Sequence, residues 1–405
     1  MAASVARSSV RQANGSTRRY TKDDWTDFVH TGPGTLAGRY LRMFWQPVCR
    51  SEDLGPGRTK PIRVMSEDFT LYRSEESASA ESEPHAHLLA FRCAHRGTQL
   101  SAGWVEGDSL RCYYHGWKYD ASGQCIEQPG EREPFCQKIR VESYPIREYI
   151  GLIFAYLGEG EPPPVPRIPE LEHDCLIENW HEDWPINYFN RIENAPDSVH
   201  VPFVHHHHGT PIPLEIDGHE TDYGYEAKGI RFYMPNMSYF PGSSPAPHIE
   251  AERTRHKFMW RIPVDDSSHL VLGAQRVNVT GEAVGKYLDW RRQVEAEQES
   301  IPMEDVARDV LAGKIRSNDI HKIRKWDTSS VQDFTVLTGQ GVIADREHEH
   351  LGSSDVGIIL LRKIWVGELR ALAEGRSMKQ WTVTQPLLVP RDGRLRAGPE
   401  ALSRG

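Results

Sequence analysis

Much of what this chain could be is excluded by what it lacks. No apolar run reaches the length of a membrane span, and the best, Val356 to Leu361, is far too short. No long basic run is interleaved with aromatics, which sets nucleic acid aside. Charge of neither sign dominates: the net is −9 with both signs well mixed, and the mean hydropathy of −0.58 is that of a protein at home in water. No Gly-rich nucleotide motif follows a strand-like run, and no four-cysteine plant-ferredoxin pattern occurs. Cysteine is scarce, with six in 405 residues. Cys49, Cys125, Cys136 and Cys175 are scattered without the spacing of a disulfide framework, which suits a reducing compartment and gives cytoplasm as the expected location. The first 19 residues hold Arg7, Arg11, Arg18 and Arg19 but no acid. That composition is shared by transit peptides and disordered arms; with no clear amphipathic run, it reads as an arm.

The remaining two cysteines are each paired with a histidine. Cys93-Ala94-His95 and Cys112-Tyr113-Tyr114-His115 are separated by 16 residues. Two thiolates and two imidazoles from two short loops are the donor set of a [2Fe–2S] centre in which two histidines replace two cysteines on one iron. Imidazole is neutral where thiolate is anionic, so such a cluster accepts an electron more readily. The rival is a Cys₂His₂ zinc site, but zinc loops pair like with like, whereas each loop here mixes one Cys with one His.

A second constellation lies downstream. Asn194-Ala195-Pro196-Asp197-Ser198-Val199-His200 runs on to His205. Two imidazoles on a short turn, completed by one distant carboxylate, make the facial triad that binds Fe(II) and leaves positions open for O₂ and substrate. His205 opens a run of four histidines. The spacing from His200 selects His205, His206 is its nearest competitor, and His207 and His208 read as solvated or supporting residues.

Cys93-Ala94-His95-Arg96-Gly97, Cys112 through Asp120 and the Asn-x-x-Asp-x-x-His-x₄-His string together resemble the Rieske non-haem iron aromatic ring-hydroxylating oxygenases. The similarity is to the α, terminal oxygenase, subunit of the phthalate-dioxygenase-like branch, and it spans roughly Trp45 to Trp365 by motif. The resemblance implies that Cys93, His95, Cys112 and His115 bind the cluster and that His200 and His205 bind mononuclear Fe(2+). It places the carboxylate ligand far toward the C-terminus, at the start of a long helix, where Glu349-His350-Leu351-Gly352-Ser353-Ser354-Asp355 fits. Asp355 then reads as the ligand, with Asp345 and Glu347 as competitors; a first-turn Asp that merely complements the helix dipole is the plain alternative. Asp197 is implied to bridge His115 of a neighbouring subunit to His200, which makes a homo-oligomer (trimer or hexamer) part of the mechanism. Its alternative is an ordinary helix-entry Asp beside Pro196. Asn194 reads equally as a residue near the open iron face and as a structural cap.

The implied function is a terminal oxygenase that uses electrons from a flavin/iron–sulfur reductase or a ferredoxin to activate O₂. It then hydroxylates, or O-demethylates, a small and by family expectation aromatic substrate. With no nucleotide-binding Gly motif after a strand in this chain, oxidation of NAD(P)H is expected to belong to that partner. The other class of reading is a Rieske electron-transfer protein with a vestigial mononuclear site.

The expected fold is α+β. Residues 1–41 read as an arm, partly disordered, and 42–160 as a small antiparallel β domain. A stiff linker at 161–169 contains Pro162-Pro163-Pro164. Residues 170–390 read as the catalytic domain and 391–405 as a loose tail. Strands are expected at Pro61–Met65, Phe69–Arg73 and His87–Arg92, with one strand over Tyr149–Leu157. In the second domain, strands are expected near Gly229–Met234, His256–Ile262 and Ser268–Gly273, and helices over Tyr287–Ser300 and Pro302–Leu311. By resemblance the sheet curls around the C-terminal helix in a helix-grip (START-like) arrangement, that helix being marked by Ile358, Leu361, Trp365, Leu369 and Leu372. Asn187, Phe189, Tyr239, Phe240 and His248 are candidate pocket residues, each as readily core or loop.

Overall fold

The computed structural model describes residues 20–75, 85–172, 176–206, 209–240 other than 210, 214 and 228, then 243–245, 252–254 and 256–381. Expectations for the first 19 residues, Cys175, His207, His208, His248 and the C-terminal tail fall outside that set.

The first half is built from short strands. A four-stranded sheet has the order β2 (Thr59–Val64), β3 (Glu67–Arg73), β4 (Ala86–Ala90), β9 (Ser143–Tyr144). A second sheet runs β5 (Trp104–Glu106), β6 (Ser109–Arg111), β7 (Lys118–Tyr119), β8 (Cys125–Glu127), and a third orders β1 (Gln46–Arg50), β11 (Leu152–Ala155), β10 (Ile146–Tyr149). The expected single strand over Tyr149–Leu157 is in fact the turn and second arm of the β10–β11 hairpin. Ile150 (φ 49°) and Gly151 (φ 75°) both take the left-handed region, as a two-residue hairpin turn of matching twist requires. The apolar run hid that turn. Gly151 is needed for space as well, because a Cβ there would lie 2.2 Å from Asn179 Oδ1, and Asn179 Nδ2 donates to Ile150 O at 3.0 Å.

The second half carries one antiparallel seven-stranded sheet. Its order is β12 (Leu176–Trp184), β20 (Ser268–Val277), β19 (Lys257–Asp265), β16 (Met237–Phe240), β15 (Ile230–Met234), β14 (Gly224–Ala227), β13 (Gly218–Thr221). β17 (Ser243–Pro245) and β18 (Glu252–Thr254) pair apart from it. Alternation along β19 gives the sheet two buried faces. Phe258, Trp260 and Ile262 look toward the first half, where the Trp260 ring meets Phe154 edge-on at 5.7 Å. Met259 and Arg261 occupy the other face, with Trp184 and Val271, and there Phe334 and Leu337 pack against them.

Helices cover that inner face. α1 (Lys22–Thr26) and α2 (Leu36–Arg42) pack on the long C-terminal α9 (Val356–Glu374), so the arm is structured from Tyr20 onward. α3 (Tyr188–Asn194) contacts β19 and β20 and leads to the short α4 (His200–Val204). α5 (Glu282–Ser300) and α6 (Met303–Leu311) match the helices read from sequence; α7 (Ile320–Ile323) and α8 (Thr328–Gly339) had not been assigned. On α9, Leu361, Trp365 and Leu369 are buried, and Ile358 and Leu372 are half-buried.

The two halves share one core, in which Trp45, Leu152 and Phe154 join Trp260 and Trp365. Backbone bonds from Met65 N to Pro263 O (2.7 Å) and Ser66 N to Val264 O (2.9 Å) tie the β2–β3 turn to β19. Trp45 Nε1 donates to Pro163 O at 2.7 Å, pinning the proline-rich segment. Among the described residues no helix is long and apolar enough to cross a membrane.

Candidate metal centres

The two Cys–His loops are built alike. In the first, Cys93 N donates to Thr98 O (2.8 Å) and Cys93 O accepts from Gly97 N (2.9 Å). In the second, Cys112 N donates to Trp117 O (2.8 Å) and Cys112 O accepts from Gly116 N (3.1 Å). Each loop closes on a glycine with positive φ, 74° at Gly97 and 73° at Gly116. The thiols point inward: Cys93 and Cys112 are buried among Leu100, Leu110, Trp117 and Tyr119. The imidazoles stand outward, with ring centroids 4.4 Å apart and His95 stacked on Trp117 at 4.3 Å. Burial raises the Cys112 thiol pKa, and the adjacent Cys93 sulfur raises it further. His95 Nδ1 is buried with no hydrogen-bond partner. Adjacent thiols and an orphaned ring nitrogen converging on one point are a donor set that fits a bound cluster. Tyr119 Oη lies 3.1 Å from Cys93 Sγ.

The second centre joins three elements. At the end of α3 the chain turns through Asp197, whose Oδ1 accepts from Val199 N (3.0 Å) and His200 N (3.2 Å) and starts α4. His200 Nδ1 donates to the Asp197 carbonyl at 2.6 Å, and His205 Nδ1 donates to Gln332 Oε1 at 3.0 Å. Each imidazole, when neutral, therefore presents a bare Nε2. Both face the Asp333 carboxylate of α8, with Oδ1 3.1 Å from His205 Nε2 and 3.6 Å from His200 Nε2. Donor atoms of the three lie within 4.8 Å of one another, the one such group among the described residues. Asp333 Oδ1 is buried and has no well-aligned hydrogen bond. Three lone pairs aimed at one point repel unless a cation sits between them, so the set fits a metal ion.

Electrostatics agree. Burial alone would raise the Asp333 pKa, but the Arg191 guanidinium, 3.2 Å from Oδ2, and then the two imidazoles hold it at about 2. Burial lowers His200 despite Asp333 and Asp197; burial also acts most strongly at His205, but there the contact with Asp333, its charge and the bond to Gln332 together exceed it and raise the pKa. Asn194 closes the group: Arg191 donates to its Oδ1, and its Nδ2 lies 3.4 Å from His200 Nε2.

Comparison with known proteins now decides between a carrier and an enzyme. Residues 44–145 match the family described as Rieske [2Fe-2S] domain. The chain is 31% identical to the 5,5′-dehydrodivanillate O-demethylase oxygenase subunit of Sphingobium sp., over 87% of this chain and 81% of that protein. It is 29% identical to phenoxybenzoate dioxygenase subunit alpha of Ectopseudomonas oleovorans, over 84% of each. The terminal oxygenase of carbazole 1,9a-dioxygenase from Novosphingobium sp. KA1 shares the fold, with a TM-score of 0.52 at 20% identity, covering 86% of this chain and 97% of that one. An oxygenase–ferredoxin complex of carbazole 1,9a-dioxygenase aligns at a TM-score of 0.55 and 18% identity, covering 89% and 94%.

The chain belongs to the Rieske non-haem iron oxygenases. It is a terminal oxygenase subunit of the phthalate-dioxygenase-like kind, whose cofactors are a Rieske [2Fe–2S] cluster and a mononuclear iron.

One expectation for this oxygenase is corrected by the geometry. Asp355 does not join the two histidines. Its Oδ2 accepts from Gly352 N at 2.7 Å and lies 3.4 Å from Ser354 Oγ, closing the turn that starts α9. The dipole-and-cap alternative describes it, and Asp333 occupies the place it was expected to fill. Asp345 and Glu347 are exposed, with Asp345 bound to His348 Nδ1 at 2.8 Å. His206 is exposed, and its Nδ1 bonds to Phe203 O. Asn194 is the last residue of α3 and caps nothing through its side chain. Of the candidate pocket residues, Asn187 is the cap of α3, Phe189 packs on Phe28 and Trp365, and Tyr239 bonds to His256.

Asp333 carried no sequence signal of its own role: α8 is buried on most of its circumference, so Gln332 and Asp333 are enclosed together with Val331, Phe334 and Leu337, and a carboxylate buried in that way needs a partner that only the fold supplies.

Proposed function

We propose that Cys93, His95, Cys112 and His115 hold the Rieske cluster, that His200, His205 and Asp333 hold the iron, and that the enzyme inserts oxygen from O₂ into a small aromatic substrate. The observation that carries this reading is the buried convergence of two bare Nε2 atoms and one carboxylate in the same chain as the two Cys–His loops. When bound, the iron supplies open coordination positions for O₂ activation. The protein's own part is orientation and charge. The Asp197 carbonyl and the Gln332 carboxamide fix both imidazole tautomers, and Arg191 keeps Asp333 ionised. Asn194, held by Arg191, sets the polar rim beside His200.

Electrons come from a partner, a ferredoxin or a flavin/iron–sulfur reductase. The exposed loop tip suits such an encounter: His115 is exposed, and Tyr113 and Tyr114 beside it are 72% and 53% exposed. Asp197 keeps its backbone role within the chain. Its Oδ2 lies 3.8 Å from His200 Nδ1 on a side chain 27% exposed, which leaves it reachable by His115 of a neighbouring subunit in a trimer. The names of relatives favour aromatic acids and ethers as substrate: dehydrodivanillate, phenoxybenzoate and phthalate. Free thiols at Cys49, Cys125 and Cys136 suit the cytoplasm.

The test is a screen of aromatic acids and ethers under ¹⁸O₂ with a compatible reductase. Label should enter the product of a hydroxylation; in a demethylation the inserted oxygen leaves with the methyl carbon as formaldehyde, so formaldehyde release is the readout there. His200→Ala should abolish incorporation with an unchanged cluster spectrum. Incorporation that survives in that variant would overturn the assignment.

A further inference from the structure

The inner face of the large sheet holds an arginine with half of its guanidinium unused. Arg261 of β19 is 1% exposed. Its Nη1 is tied down by Ser238 Oγ and by Met259 O at 3.1 Å. Its Nε and Nη2 are buried and have no hydrogen-bond partner. Those two N–H groups point the same way and form the side-on fork that fits the two oxygens of a carboxylate.

Elsewhere in this chain the same fork is occupied. Arg111 uses Nε and Nη2 on Glu106 Oε1 and Oε2 at 2.7 and 2.8 Å, and Arg50 uses them on Asp53 at 2.9 and 2.7 Å. Neither of the acids whose charge reaches Arg261, Glu182 and Asp333, fills the role there. Glu182 Oε2 accepts from Trp184 Nε1 at 2.9 Å, and Asp333 is committed to Arg191 and the imidazoles.

The surroundings add to the demand for an anion. Burial, with the charge of Arg191 added, lowers the Arg261 pKa to about 9, which still leaves it cationic at neutral pH. Arg191 Nε is likewise buried and unpartnered. Asp333, the buried carboxylate whose charge reaches both guanidinium groups, is already bound to Arg191, and a buried cation left unpaired is costly. The ring of Phe240, 6.0 Å from the Arg261 guanidinium carbon, supplies an apolar wall beside the fork.

We propose that the Nε–Nη2 face of Arg261 receives the carboxylate of an aromatic acid and so selects this class of substrate for the site on the same inner face. The inference rests on the placement of the oxygenase site at His200, His205 and Asp333. Arg261 contacts the substrate's acid group and takes no part in oxygen chemistry.

The test is equilibrium binding, without turnover, to the iron-loaded holoenzyme. The probes are benzoate, phthalate, vanillate and 4-phenoxybenzoate, each set against its neutral carboxamide. A charge-assisted bidentate bond should make at least one acid bind about tenfold or more tighter than its amide. Arg261→Gln should erase that preference, and Arg261→Lys should keep part of it. Integrity of both variants is read from the cluster absorption and iron content. The proposal falls if no acid outbinds its amide in the wild type, a comparison that needs no variant, or if the preference persists in Arg261→Gln. Failure of the iron assignment would show separately, as iron retained by an Asp333 variant, with the acid–amide comparison still readable.

Discussion

Asp333 and Asp355 make opposite predictions, and a pair of conservative substitutions separates them. Asp333→Asn keeps the shape of the side chain but removes the one anionic donor of the triad. Even residues that only support a metal ligand cost about 10–100-fold in affinity when changed, so loss of the ligand charge should cost at least about 100-fold, roughly 2.7 kcal/mol. A second cost falls on the fold. Arg191, with a side chain 7% exposed, loses its carboxylate at 3.2 Å. Breaking a buried pair costs about 3–5 kcal/mol, and the bond that Arg191 keeps to Asn194 places this case toward the lower end. Asp355→Asn touches only the turn before α9, where asparagine caps nearly as well as aspartate, so the loss stays below about 1 kcal/mol.

Iron and acid-labile sulfide per chain, measured after anaerobic reconstitution, give the readout. Wild type and Asp355→Asn should hold three irons, two in the cluster and one in the triad; Asp333→Asn should hold two. Sulfide and the visible cluster spectrum should be the same in all three. A third iron retained by Asp333→Asn, or lost from Asp355→Asn, would refute the assignment.

Three further outcomes are expected. Tyr119→Phe removes the hydroxyl 3.1 Å from Cys93 Sγ; a hydrogen bond to a cluster sulfur favours the reduced state, so at about 1 kcal/mol the potential should fall by about 40 mV in redox titration, and an unchanged potential would deny the bond. His269 is fully buried, and burial lowers its pKa to about 3. Unfolded chains then bind more protons between pH 6.5 and 3, so this contribution to stability is complete above about 6.5 and is lost as pH falls, by about 1 kcal/mol between pH 7 and 5.5. Denaturation midpoints of wild type and His269→Gln should diverge across that range, and parallel curves would show His269 to be titrating normally. Gly273→Ala places a Cβ 2.0 Å from the Trp180 ring and should cost about 1–3 kcal/mol, visible as a lowered melting temperature; an unchanged Tm would mean that the ring moves freely.

What could be read from the chain depended on how far apart in sequence the interacting groups lie. The cluster loops were legible because each is a self-contained turn: cysteine at the base, glycine at the closure, histidine at the tip. The spacing of His200 and His205 was legible for the same reason, since α4 begins at the one and ends just before the other. The third ligand was not, because no local pattern links α4 to α8. Asp355 takes that role only by resemblance to a C-terminal motif, against a first-turn dipole reading that the local sequence offers equally. The same limit applied to the β10–β11 hairpin, where Ile150 and Gly151 break an apolar run only through their backbone angles.

Arg261 extends this argument to specificity. In sequence it is one cation inside Phe258-Met259-Trp260-Arg261-Ile262, a run whose alternation looks like ordinary strand. Only the sheet register, which places it opposite Val271 and on the face of Met259 and Trp184, shows that its side chain is enclosed on the face that α8 covers. The proposed metal ligands are braced by a backbone carbonyl and a carboxamide, while the proposed selector comes from a strand. In this assignment oxygen chemistry and substrate choice sit on separate elements, so a change at position 261 should alter which acids bind without moving His200, His205 or Asp333. An Arg261 variant that lost its iron along with its acid preference would show instead that the two are mechanically one.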